Sequence, residues 1–83
     1  MEPTWLRLHE AAEIVGVNRK TAYRWFQNYL KRERGEDYDD GPLLPGYTAP
    51  GSTHIWVKDN ELVAFMNEFA EEISDIIERR DYL

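Results

Sequence analysis

The chain has no cysteine among its 83 residues, which excludes disulfides and thiolate metal sites and accords with a reducing compartment. No run is apolar for long enough to span a bilayer, so no membrane partner is expected. The start, Met1-Glu2-Pro3-Thr4, carries neither the basic nor the apolar stretch of a secretion signal, and a cytoplasmic location is expected. The five glycines stand singly, at 16, 35, 41, 46 and 51, so no glycine-rich phosphate loop exists. Only two histidines occur, His9 and His54, far apart in sequence and with no ligand-spaced carboxylates. No metal site or other cofactor is therefore expected. Ser52 and Ser74 lie in no nucleophile elbow, and an enzyme is not expected.

Positive charge is also scarce, with a net charge of −6, but its distribution is uneven. Residues 1–34 hold seven basic side chains against four acids. Residues 35–61 hold one basic side chain against six acids, and residues 62–83 hold two against six. Screening over about 8 Å at physiological ionic strength lets the basic third act locally. The acidic remainder weakens any binding to nucleic acid and makes it strongly salt-dependent.

That basic third contains the most informative segment, residues 8–26. Ala11, Ala12, Ile14, Val15 and Val17 supply apolar contacts in its first half. Ala22, Trp25 and Phe26 supply them in its second half. Gly16 stands where a first helix over about Leu8 to Val15 must stop, because glycine reaches left-handed dihedrals without a Cβ penalty. Asn18 is a good N-cap for a second helix that continues to Arg34 and ends at Gly35. Lys31, Arg32 and Arg34 suit the negative end of its dipole. Two short helices around a glycine turn are the pattern of a helix-turn-helix, whose second helix lies in the DNA major groove. An ordinary antiparallel helix pair has the same spacing. What favours DNA is the expected open face of the second helix. It presents Arg19, Lys20, Thr21, Arg24, Gln27 and Asn28, all residue types that contact phosphates or base edges.

Downstream, Glu36-Asp37-Tyr38-Asp39-Asp40 reads as a solvated acidic connection. Two β-rich runs, one over Leu43–Ala49 and one over Thr53–Lys58, flank Pro50-Gly51-Ser52 and predict a hairpin. Thr53, His54 and Lys58 are its candidate phosphate contacts. Asp59 or Asn60 is expected to cap one last helix reaching about Arg80. Leu62, Met66, Phe69, Ile73 and Ile76 step along it as an a/d seam, with Leu83 later in register. Ile73, Ile76 and Ile77 are expected to lie beyond the reach of a small core and to serve association, either of two copies or with a protein partner.

The order helix, turn, helix, hairpin, helix resembles the small excisionase-type proteins and the DNA-binding domain of MerR-type regulators. The residues that carry this resemblance are Leu6, Glu10 to Val17, Asn18 to Trp25, Ile55 to Lys58, and Asn60 to Met66, roughly residues 5–67. The resemblance implies a mainly α fold with a small β-hairpin, a winged helix-turn-helix over residues 1–69. Residues 70–83 would be a C-terminal extension of the last helix that serves association. It also implies a sequence-specific DNA-binding accessory protein. The leading role is that of an excisionase, a recombination directionality factor of a phage or mobile element that binds and bends double-stranded DNA near an integrase site. A small transcriptional regulator is the alternative within the family, and an acidic protein-interaction module that does not bind DNA is the alternative outside it. The chain departs from the family in its longer acidic connection, in a hairpin tip without arginines, and in its extended last helix.

Overall fold

The computed structural model describes residues 2–80. It is mainly helical, with four helices and one small two-stranded antiparallel sheet among the described residues. Strand β1 (Trp5–Arg7) leads directly into helix α1 (Leu8–Val15), and helix α2 (Arg19–Glu33) follows. Strand β2 (Trp56–Lys58), helix α3 (Asp59–Glu68) and helix α4 (Ala70–Arg80) complete the order. No helix among the described residues is long and apolar enough to cross a membrane.

Local chemistry accounts for the first helix pair. The backbone amide of Arg7 donates to Glu10 Oε1 at 2.9 Å, closing the start of α1. Gly16 ends it at φ 94°, and the Gly16 amide returns to the Ala12 carbonyl at 2.9 Å. Asn18 then caps α2 by accepting from the Thr21 amide at 2.9 Å. Alanines 11, 12 and 22 are buried where α1 and α2 meet, so the two backbones approach closely. Trp25, Phe65, Leu62, Leu44 and Val57 pack into the same core, with the Trp25 and Phe65 rings 5.5 Å apart.

The sheet differs from the expected hairpin. Its partner strands are β1 and β2, paired Trp5 with Lys58, Leu6 with Val57 and Arg7 with Trp56. The run over Leu43–Ala49 contributes only a single bridge, Tyr47 with Trp56. Pairing to β1 places Leu6 and Val57 against the core, and this burial outweighs what the local turn alone could stabilise. The turn itself is present, with Ser52 donating its amide to the Ala49 carbonyl at 3.0 Å and Gly51 at φ 78°.

The expected single last helix is two. Lys58, not Asp59 or Asn60, is the N-cap of α3, and the Asp59 amide instead donates to the Thr4 carbonyl at 3.0 Å. At Phe69 the backbone leaves helical dihedrals, at φ −110° and ψ 27°. Phe69 packs its ring 5.4 Å from Phe65, and the chain bends there so that α4 returns towards the first helix pair. Ile77 Cδ1 lies 3.5 Å from where a Cβ on Gly16 would stand. The expectation that the isoleucines have no partner inside the chain is corrected accordingly. Ile73 is 7% exposed and belongs to the core, and Ile76 and Ile77 are half-buried against it. Leu83 and the rest of residues 81–83 lie outside the described residues.

Candidate nucleic-acid interface

Helix α2 carries one apolar side inward, through Ala22, Trp25 and Phe26, and so turns Arg19, Lys20, Tyr23 and Arg24 outward. Arg19, Lys20 and Tyr23 together line a shallow concavity at its N-terminal end. Thr21 and Gln27 are half-buried beside them. Gln27 Nε2 donates to the Tyr23 hydroxyl at 2.7 Å, which holds this exposed phenol in place. Tyr23 was not among the expected contact residues, because an aromatic at this spacing reads equally well as core.

Asn28 does not share that face. It is 2% exposed, and no partner for its Nδ2 is found among the described residues. The physical reason is the path of the chain after Gly35. The acidic connection folds back over this side of α2, the Leu44 amide donating to the Trp25 carbonyl at 3.2 Å. A Cβ on Gly41 would stand 3.3 Å from Asn28 Nδ2. Asn28 and Trp25, whose Nε1 is likewise buried without a partner, border a polar cavity of about 460 Å³. Its other walls include Asp39, Asp40, Glu72 and Asp75 together with the two cations Arg24 and Arg79. Arg24 therefore sits between the open face of α2 and a concentration of carboxylates.

A second groove, of about 360 Å³, joins the start of α2 to the loop before β2. Arg19, His9, Arg7, Thr53 and His54 line it. Arg7 Nη2 lies 2.7 Å from His54 Nδ1, and its guanidinium carbon stands 5.2 Å from the centre of the Trp56 ring. His54 in turn meets Trp56 edge-on, with centroids 6.4 Å apart and planes at 73°. Thr53 and His54 thus share this groove with Arg19. Arg7 and His9 join them unforeseen, because the pairing of β1 with β2 is not a local property. The alternation of Trp5-Leu6-Arg7 was the one signal for it.

Lys58 is corrected. Its Nζ stands 5.3 Å from the ring centre of Trp5, 5.1 Å from that of Tyr47 and 4.0 Å from Glu61 Oε1. This cation is engaged by two aromatic rings and a carboxylate rather than grouped with Thr53 and His54. Tyr47 donates its hydroxyl to Glu61 Oε1 at 2.7 Å. That bond, then burial, then the carboxylate charge push the Tyr47 phenol up to about 12. Burial first, and the charges of Glu33 and Glu61 after it, also raise Tyr29.

Among the described residues, no group of three or more His, Cys, Asp or Glu side chains is arranged to hold a metal ion. No protein-family model, curated protein or solved structure matches the chain.

Proposed function

We propose that the chain is a winged helix-turn-helix protein that binds double-stranded DNA. In this reading α2 enters the major groove and the loop 49–55 serves as the wing. The observation that carries it is the placement of Arg19 and Lys20 at the open N-terminal end of α2, the part of a recognition helix that reaches base edges. Arg19 is shared with the groove of His54 and Thr53, so helix and loop offer one continuous basic surface. Thr21, Tyr23, Arg24 and Gln27 extend that surface along α2. The resemblance to excisionase-type proteins makes an accessory role in recombination the leading biological reading, with a neighbouring integrase as the partner. Transcriptional regulation is the alternative with the same surface.

The cavity that sets Asp39, Asp40, Glu72 and Asp75 against Arg24 and Arg79 favours a second reading, an acidic interaction module that binds protein and not DNA. A mobility-shift titration on random duplex at several salt concentrations separates the two. DNA binding requires an affinity that falls steeply with salt and weakens in Arg19→Ala and Lys20→Ala. An interaction module would leave the duplex unshifted even at low salt.

A further inference from the structure

Strand alternation decides what the outer face of the small sheet carries. Leu6 and Val57 pair with each other and pack on the core, so Trp5 and Arg7 of β1 share the opposite face with Trp56 and Lys58 of β2. The register sets Trp5 opposite Lys58 and Arg7 opposite Trp56, so each indole has a cation across the pair. Tyr47 joins them through its bridge to Trp56. Trp5, Tyr47, Thr48, Ala49 and Trp56 line a cavity of about 440 Å³.

Trp5 and Tyr47 are 47% and 38% exposed. A cluster of large rings left open to water is a contact surface, and here the rings are held in place. Trp5 meets Tyr47 edge-on, with centroids 5.5 Å apart and planes at 84°. The Tyr47 hydroxyl is tied to Glu61, and the Arg7 guanidinium stands 5.2 Å from the centre of the Trp56 ring. Rings fixed before binding lose little freedom when a ligand arrives.

The surroundings of the rings select the occupant. Lys58 already uses Trp5 and Tyr47 as its own aromatic partners, and a further cation would enter beside it and be repelled. A second copy of the chain would need about 20–30 residues a side for a standard interface, whereas five line this cavity. None of the five is acidic, and Glu61 is engaged by Tyr47 and Lys58. A flat π-system that carries its negative charge outside the ring fits best, which is the chemistry of an unpaired nucleotide. The lining is almost wholly apolar, so it gains nothing from a ribose 2′-hydroxyl and suits deoxyribose.

We propose that this face binds single-stranded DNA, with a base stacked against Trp5, Tyr47 and Trp56 and the adjoining phosphates facing Arg7 and Lys58. The site goes beyond the duplex reading and does not rest on it, because Arg19, Lys20 and Arg24 do not line the cavity.

The test compares a labelled oligothymidine, the matching oligouridine and a random duplex by fluorescence anisotropy with the full chain. The parent is expected to bind oligothymidine, and Trp5→Leu to weaken that binding about tenfold while leaving the duplex unaffected. Trp5→Phe keeps a stacking ring and should restore most of the loss. Arg19→Ala should weaken the duplex and spare the oligothymidine. Circular dichroism follows the fold of each variant. Should Trp5→Leu lose its fold, Ala49→Glu places a carboxylate in the cavity from an exposed position and should abolish oligothymidine binding.

Oligothymidine binding that is unchanged in folded Trp5→Leu, or in Ala49→Glu, would overturn the proposal. So would loss of that binding in Arg19→Ala alone, which would move the single strand to α2. Tighter binding of oligouridine would overturn the assignment to DNA. A parent that shifts the duplex and ignores oligothymidine would sink this site and leave the duplex reading standing. The reverse pattern would uphold the site and remove the duplex reading. If no nucleic acid binds and Trp5→Leu instead abolishes a dimer in sedimentation, the rings are a contact between copies and the proposal falls.

Discussion

The backbone of Gly46 lies against the ring of Phe26, so that a Cβ on residue 46 would stand 2.8 Å from Cδ1 and 2.9 Å from Cε1 of that ring. Phe26 is 2% exposed and locked in α2, so it cannot swing away. The returning chain thus reaches α2 at a point where no side chain fits. Gly46→Ala is expected to cost about 1–3 kcal/mol through overpacking. Urea unfolding measures this, and an unchanged midpoint would show that Phe26 yields.

Ile73 is expected to behave as a core residue. Ile73→Ala should cost about 2 kcal/mol or more by leaving a cavity in the core it helps to fill. Its mass by sedimentation equilibrium should equal that of the parent. A variant that keeps its melting temperature but loses a dimer would return this residue to an association surface.

Asn28 and Arg19 are expected to respond in opposite ways. Asn28→Leu removes a buried amide whose Nδ2 has no partner among the described residues, so stability should be kept or raised. DNA affinity should not change. Arg19→Ala should leave stability alone and lower the salt slope of DNA binding by about one unit. Thermal melting and anisotropy at several salt concentrations read both variants.

Tyr47 is expected to ionise late. Its phenol is pushed up to about 12 by the hydrogen bond to Glu61, by burial and by the charge of that carboxylate. The fold favours the neutral phenol, so its contribution to stability is complete below about pH 10, the ordinary value, and is lost as the pH rises through about 12. Near-ultraviolet titration should show a tyrosine that ionises only near pH 12. Glu61→Ala should return it towards about 10.

The features legible in the residues alone are those decided within one or two turns of chain. Gly16 and Asn18 mark the junction of α1 and α2 because a positive φ and a side-chain cap are properties of a residue and its next few neighbours. The ends of α2 follow for the same reason, with Gly35 at φ 74° closing it. The inward stripe of Ala22, Trp25 and Phe26 is likewise set by helical periodicity.

What the tertiary structure decided lies wherever distant segments meet. Leu43–Ala49 reads as a strand, but β2 gains more from pairing with β1, which buries Leu6 and Val57 together. The a/d seam reads as one helix with a free end, yet the bend at Phe69 lets Ile73 enter the core and Ile77 approach Gly16. Asn28 reads as an exposed contact until the chain near Gly41 covers it. Arg7 acquires a role only when strand pairing sets it opposite Trp56 and next to His54. Local dihedrals and caps are determined by the residues that make them. Burial and the company a side chain keeps depend on which of several apolar surfaces pack together, and only the whole fold resolves that competition.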